Sequence, residues 1–135
     1  MCTPTAAKAR PVNDKSMKVI LKRFDKPDKV THFSKGMFET IELGGMTIGR
    51  ASYQPGWKWS EDVGPGLGEK FCQIEHVGMV VSGRATAALA SGQVVEMRPG
   101  DFFYVPSEPH DSWVVGDETY VSMHFLGATN YARPD

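Results

Sequence analysis

The sequence predicts an all-β fold, a barrel or a sandwich, that forms a single domain. Short apolar segments recur at about ten-residue intervals, and glycine or proline separates most of them. No stretch of roughly ten or more residues carries the helical period of apolar side chains. A chain of 135 residues is long enough for one domain with a sizeable core.

The first half of the chain contains strand-like segments bounded by turn signals. Gly44-Gly45 separates two of these segments, and Pro55-Gly56 ends the last of them. Residues 1–16 show no periodicity and are predicted to form a polar N-terminal arm, so that the β domain covers 17–135. The predicted strands are Met17–Phe24, Val30–Phe33, Met37–Leu43 and Met46–Gln54.

The second half repeats the pattern with shorter turns. Glycine occurs in the turns at Gly83, Gly92, Gly100 and Gly116, each within two residues of a strand-like segment. The predicted strands are Val77–Val81, Ala85–Ala90, Gln93–Met97, Phe102–Val105, Asp111–Val115 and Thr119–Leu126.

Composition excludes several classes of protein. The formal net charge of −1 gives the chain no electrostatic reason to bind nucleic acid or an anionic membrane. No apolar run approaches the roughly 20 residues of a membrane span, and the first residues lack the apolar segment of a secretory signal. The two cysteines, Cys2 and Cys72, are too few for a disulfide framework, so a cytoplasmic location is expected.

The stretch Phe71–Arg84 combines a thiol and an imidazole with the start of a strand. Cys72 and His76 are four residues apart, and residues at this spacing in a strand share a face. A thiol and an imidazole on one face can both ligate a soft or borderline metal ion. The stretch therefore predicts a metal or small-ligand pocket inside the barrel.

Part of the chain resembles the cupin family. Gly83, the segment RPGDFFYVP from Arg98 to Pro106 and the following His110 are similar to the glycine, proline and histidine motifs of that family. The resemblance covers roughly residues 45–126. It implies a cupin-type double-stranded β-helix (jelly-roll) barrel and is closest to small single-domain bacterial cupins, which commonly pair as homodimers through sheet faces.

The resemblance also suggests a set of metal ligands that departs from the family pattern of three histidines and one glutamate. Counted back from Gly83, His76 stands at the glutamate position, Cys72 at the second histidine and Lys70 at the first. An alternative alignment, counted forward from Gly56, puts Asp62 at the first histidine. The candidate ligands are therefore His76, His110, Cys72 and Asp62, with Glu61 and Glu69 as further possible oxygen donors. Two histidines and one cysteine leave a fourth position open, and a divalent transition metal, zinc or iron, fits this donor set.

Several residues near the motifs are candidates for the wall of a ligand pocket. Aromatic side chains at the mouth of a barrel can stack on a ligand, although they can equally fill the core. The glycine-rich segment Gly64–Gly68 lacks the features of a phosphate loop and is predicted to be a mobile flap. His124 is expected on the outer face, because Val121, Met123 and Phe125 alternate with it as an apolar face. The candidate pocket residues are Trp57, Trp59, Glu61, Phe102 and Tyr104.

Three functions from different classes remain open at this point. The first is a metal-dependent enzyme acting on a small molecule, with Glu75, Glu61 or Asp62 as the acid or base. The second is a non-catalytic cupin that binds a small ligand as a sensor or storage module. The third is a structural module whose barrel is filled by side chains. The expected partners are a small molecule and a second copy of the chain.

Overall fold

The computed structural model describes residues 18–129 and Tyr131, and within them the chain is mainly antiparallel β-strand. These residues also form two helices of four residues each, which lie between the third and the fourth strand. The elements in chain order are β1 (Lys29–Phe33), β2 (Gly36–Leu43), β3 (Met46–Tyr53), α1 (Trp59–Asp62), α2 (Gly64–Leu67), β4 (His76–Ser82), β5 (Arg84–Leu89), β6 (Val94–Met97), β7 (Phe102–Val105), β8 (His110–Val115) and β9 (Tyr120–Leu126).

The strands form two sheets that enclose the core. The larger sheet has the order β1-β2-β3-β9-β4-β7, and the smaller has the order β6-β5-β8. β9 pairs with both β3 and β4, so strands distant in sequence lie side by side. Side chains from the inner faces of both sheets meet in one cluster that includes Ala51, Val80, Ala85 and Val114.

β4 carries the predicted site on its inner face. Its buried positions alternate, with His76, Gly78 and Val80 inside, as expected for a strand with one face against the core. His76 pairs with Val105 of β7 at the start of the strand. The predicted inward register of this strand is therefore the observed one.

Gly83 makes the tight connection from β4 to β5. Its φ is +72°, a left-handed conformation that residues with a Cβ rarely adopt. A Cβ placed there would lie 2.4 Å from the carbonyl oxygen of Thr119. The turn thus needs glycine both for its backbone conformation and for the close approach of the chain before β9.

Two details of the first half differ from the sequence-based expectation. Lys18–Phe24 is not a strand, and the side chains of Val19 and Leu21 are 88% exposed. Met17 and the predicted arm at 1–16 lie outside the described residues. The glycine-rich segment expected as a flap begins with the short helix α2, whose buried first residue Gly64 packs on Trp59. No helix in the described part of the chain has the length and apolar character needed to cross a membrane.

Replacing Gly83 with alanine is expected to lower the free energy of unfolding by about 3 kcal/mol. The alanine would carry the energetic cost of the left-handed φ and, in addition, the cost of a steric clash between its Cβ and the backbone of Thr119. Gly68→Ala is the matched control, since Gly68 has the same φ of +72° but has open space around the Cβ position. The control should lose only about 1 kcal/mol. Urea unfolding of both variants measures the difference, and equal losses would show that the contact with Thr119 does not matter.

Candidate metal centre

One ring nitrogen of His110 is hydrogen-bonded, and the other has no hydrogen-bond partner among the described residues. Its Nδ1 lies 2.7 Å from the carbonyl oxygen of Glu108, which can only accept, so Nδ1 carries the proton and donates it. Nε2 is then the unprotonated nitrogen, and it is buried without a hydrogen-bond partner in the described structure. Burial lowers the pKa of His110, which keeps the imidazole neutral. A backbone carbonyl that orients one nitrogen and leaves the other free is the usual support of a histidine metal ligand.

Cys72 is held opposite His110 by the backbone. The amide of each residue donates to the carbonyl of the other, with both N···O distances 2.9 Å. This pair is an isolated antiparallel bridge between the segment before β4 and the start of β8. Directly opposed residues of an antiparallel pair place their side chains on the same side, so the thiol and the imidazole face the same interior.

His76 completes a group of three donors. Its Nε2 lies 3.5 Å from Cys72 Sγ, and its Nδ1 is buried without a partner among the described residues. Burial lowers the pKa of His76 well below its usual value, and the nearby His124 and His110 lower it further. One potential ligand atom each from Cys72, His76 and His110 lies within 4.8 Å of the others.

The spacing of these donors suits a tetrahedral metal ion. Zinc bonds of about 2.3 Å to sulfur and about 2.0 Å to nitrogen place two such donors about 3.5 Å apart across a tetrahedral edge. The observed distance from Cys72 Sγ to His76 Nε2 is 3.5 Å. The same distance is also compatible with a protein that holds no metal ion. Burial raises the pKa of Cys72 to about 11, and the protonated thiol can donate a hydrogen bond to the imidazole of His76.

The fourth predicted ligand, Asp62, lies apart from this group. Its carboxylate accepts a hydrogen bond from the backbone N–H of Lys58 at 2.8 Å and thereby stabilises the first turn of α1. The described cluster of possible ligands contains Cys72, His76 and His110 but not Asp62. Oxygen donation by Glu61 is not supported either, because this side chain is exposed on α1.

The tryptophans predicted to line the pocket do so. Trp57 and Trp59 are 1% and 3% exposed and contribute to the wall of a cavity next to the three donors. Asp111 fixes α1 onto β8, because its carboxylate accepts hydrogen bonds from the backbone N–H and the hydroxyl of Ser60 at 3.0 and 2.8 Å. This anchor holds Trp59 at the cavity.

Phe102 and Tyr104 were predicted on the wrong face. They are 74% and 60% exposed on the outside of β7, and the hydroxyl of Tyr104 donates to Glu75 at 2.7 Å. Phe103 and Val105 line the cavity instead. The two faces of FFYV have nearly the same composition, so the sequence showed that residues 102 and 104 share a face but not which face is buried.

His124 was also assigned to the wrong face. It is 6% exposed and lines the cavity, with its ring centroid 5.5 Å from that of His76. Its Nε2 lies 3.0 Å from Ser122 Oγ, and burial lowers its pKa to about 4. The inner face of β9 is Tyr120, Ser122 and His124, so the apolar alternation of the other face was misleading. A polar inward face is itself a signal of a pocket rather than a filled barrel.

Tyr131 lies beyond the last strand and closes another side of the cavity. Its hydroxyl is 2.6 Å from that of Tyr53, and its ring stacks on His124 with centroids 5.9 Å apart. The ring also meets His76 edge-on at 5.3 Å. Nothing in the sequence around Tyr131 predicted this position.

The cavity enclosed by these residues is small and contains unsatisfied nitrogen atoms. Its volume is about 50 Å³, which is room for a few water-sized groups and not for a large organic molecule. Buried polar groups are normally hydrogen-bonded, so the unpaired ones around this cavity are available to hydrogen-bond a molecule bound there. The unpaired atoms in the described structure are Trp57 Nε1, Trp59 Nε1, His76 Nδ1, His110 Nε2 and His124 Nδ1.

Comparison with known structures identifies the fold. A comparison with protein-family models finds no match to the sequence, and no curated protein matches it either. Among solved structures, a double-stranded β-helix domain protein from Klebsiella pneumoniae is 15% identical with a TM-score of 0.54, over 84% of this chain and 93% of that one. The chain has the double-stranded β-helix fold. The all-β, double-stranded β-helix prediction is thereby confirmed.

Two further solved structures are similar in fold to the chain. A protein of unknown function from Rhizobium leguminosarum is 18% identical with a TM-score of 0.57, over 80% of this chain and 95% of that one. The polyketide cyclase RemF from Streptomyces resistomycificus is 14% identical with a TM-score of 0.55, over 79% of this chain and 78% of that one. The structural similarity establishes the fold of the chain. At such low sequence identity it says nothing about activity, which has to be argued from the geometry of the site itself.

The buried histidines make the stability of the metal-free protein depend on pH. The pKa of His124 is about 4 in the folded protein and about 6.5 when unfolded, so unfolding takes up a proton between these values. The free energy of unfolding should therefore fall as the pH drops from about 6.5 towards 4, by up to about 1.4 kcal/mol per pH unit from His124 alone. Urea unfolding at several pH values in the presence of a chelator measures this slope.

The variant His124→Gln isolates the contribution of this residue. The carboxylates and the other histidines contribute equally to the wild-type protein and the variant. The difference between their slopes of unfolding free energy against pH therefore belongs to His124. The variant should have a slope shallower by about 1.4 kcal/mol per pH unit between pH 6 and 5. Identical slopes would show that His124 does not take up its proton on unfolding.

Proposed function

We propose that the chain is a transition-metal-binding cupin that binds a small molecule beside the metal. Cys72, His76 and His110 hold the ion, and the open fourth position faces the cavity of about 50 Å³. The observation that carries this proposal is the fixed tautomer of His110, which leaves Nε2 buried, unprotonated and without a partner in the described structure. A mixed thiolate and imidazole donor set favours zinc, and iron(II) is the second choice.

The surroundings of the donors support a metal site over a core histidine cluster. A histidine that serves only the core normally has both ring nitrogens satisfied. His110 keeps the proposed ligand atom Nε2 unpaired within the described residues, and it lines the same cavity as His76 and Cys72. When bound, the ion supplies a Lewis acid that polarises an oxygen of the ligand.

The carboxylates suggested as acid or base do not reach the cavity. Glu75 binds Tyr104 on the outside, Glu61 is exposed, and Asp62 holds the N–H of Lys58. The titratable groups that line the cavity, apart from the metal donors, are His124 and the tyrosines 53, 120 and 131. A reaction at this site would use His124 for proton transfer, since its Nδ1 has no described partner and its neutral form is present at pH 7.

The alternative is a metal-free module that binds a small ligand without catalysis. Its specific support is the Cys72 thiol, whose pKa of about 11 keeps it protonated in the absence of a metal ion. The 3.5 Å contact with His76 Nε2 then satisfies both groups as a weak hydrogen bond. In this case the unpaired nitrogens would bind the ligand directly.

The metal content of the protein tests the proposal. Freshly purified, untagged chain should contain close to one equivalent of zinc or iron by elemental analysis. His76→Ala and His110→Ala should each reduce this content to about a tenth, because losing one of three protein ligands weakens binding strongly. His32→Ala is the matched control, since His32 is an exposed histidine of β1 and should leave the content unchanged.

Two results would decide against the metal site. The same metal content in both cavity variants as in the control would mean that the ion binds elsewhere. No metal in the wild-type protein after reconstitution with zinc or iron(II) would favour the metal-free module. A thermal-shift screen of small organic acids would then identify its ligand class.

A further inference from the structure

We propose that the cavity selects a small monoanion as the ligand at the open metal position. This inference rests on the proposed metal site and goes beyond it, because it fixes the charge and the size of the bound molecule. Three independent features of the cavity lead to it: the charges that surround the site, the volume, and the two tryptophan N–H groups.

The first feature is the charge balance. A divalent ion bound by one thiolate and two neutral imidazoles carries a net charge of +1. Among the residues that the structure describes, the wall of the cavity contains no Asp, Glu, Lys or Arg to compensate it. Two carboxylates act on His110 from outside this wall, and both already accept hydrogen bonds there, Asp111 from Ser60 and Glu108 from the backbone N–H of Ser91. An uncompensated charge in a buried site is unfavourable, and a monoanion removes it. A neutral ligand would leave the charge at +1, and a dianion would change it to −1.

The second feature is the size and polarity of the space. A volume of about 50 Å³ admits a molecule of a few non-hydrogen atoms. One part of the wall is apolar and comes from β5, β6 and β7, with Ala85, Ala87, Met97 and Phe103 among its residues. A large anion would not fit, and a strongly hydrated one would lose its water without replacement.

The third feature is a pair of hydrogen-bond donors that lack acceptors. The indole Nε1–H groups of Trp57 and Trp59 can only donate, and both are buried and unpaired within the described residues. Both side chains line the cavity and are at least 97% buried. A ligand with negatively charged oxygen or nitrogen atoms satisfies such donors, whereas a donor ligand such as an amine would not.

Cobalt(II)-substituted protein provides a test with a spectroscopic readout. The full chain carrying Cys2→Ser is loaded with cobalt(II), so that a thiolate-to-cobalt band establishes that Cys72, its remaining cysteine, holds the ion. Formate, azide, cyanate and acetate are then titrated while the visible bands of the cobalt ion are recorded. Each should shift these bands with a saturable dependence on concentration. Sulfate, benzoate and formamide should leave the bands unchanged at the same concentrations, since they differ in charge or in size.

The outcomes separate this inference from the proposed metal site. No thiolate-to-cobalt band would mean that the metal site itself is wrong. A normal cobalt spectrum that no small monoanion changes would overturn the inference while the metal site stands. Equal responses to formate, sulfate and formamide would also overturn it, because the cavity would then select neither charge nor size.

Two variants test the separate parts of the argument. Trp59→Phe keeps an aromatic ring and removes the N–H, so the affinity for formate should fall about tenfold through one lost hydrogen bond to a charged group. Trp113→Phe is the matched control, because Trp113 lies under Lys58 outside the cavity wall and should leave the affinity unchanged. An unchanged affinity in both variants would exclude the indole of Trp59 from anion binding.

Cys72→Ser tests the charge. With excess cobalt(II) present, this variant replaces the thiolate by a neutral hydroxyl and raises the net charge of the site from +1 to +2. The affinity for formate should rise, and sulfate should begin to compete with it. A selectivity identical to that of the wild-type protein would show that the charge of the site does not govern the choice of ligand.

Discussion

The two backbone hydrogen bonds between Cys72 and His110 are the contact on which the site depends. They join a segment before β4, a strand of the larger sheet, to the first residue of β8 in the smaller sheet. Because the pair is directly opposed, it also directs the thiol and the imidazole into the same space. His76 then needs only the inward register of β4 to complete the group. The metal donors are therefore positioned by main-chain pairing more than by contacts between their own side chains.

The environment of the donors explains why they remain chemically available. The histidines are buried deeply enough for their pKa values to fall, so they stay neutral and retain a lone pair for a metal ion. Burial has the opposite consequence for Cys72, whose pKa rises, so that a metal ion has to displace a proton to bind the sulfur. Burial in one cavity thus keeps the two imidazoles neutral, and it keeps the thiol protonated in the absence of a metal ion.

Much of the fold could be predicted from the sequence, because turn residues and the alternation of side chains determine strands directly. The inward positions of Cys72, His76 and His110 followed from strand parity and from the resemblance around Pro99-Gly100 and Pro106. The predictions failed where parity alone had to choose a face. Phe102 and Phe103 differ in burial but not in residue type, so the sequence could not tell which of them faces the core. In β9 the polar face is the buried one, contrary to the general tendency of apolar side chains to be buried. Asp62 is engaged by a local backbone amide, a contact that forms only once α1 exists.

The cavity is completed by a residue outside the sheets. Tyr131 follows β9, yet it packs against His76, His124 and Phe38 and is bonded to Tyr53. A version of the chain shortened to Leu126 would keep all nine described strands and lose this wall. Such a shortened protein could give a circular dichroism spectrum close to that of the full chain while its ligand site is open to solvent. Proteolytic trimming after β9 is consequently a hazard for preparations judged by secondary structure alone, and the intact mass should be measured before any ligand experiment.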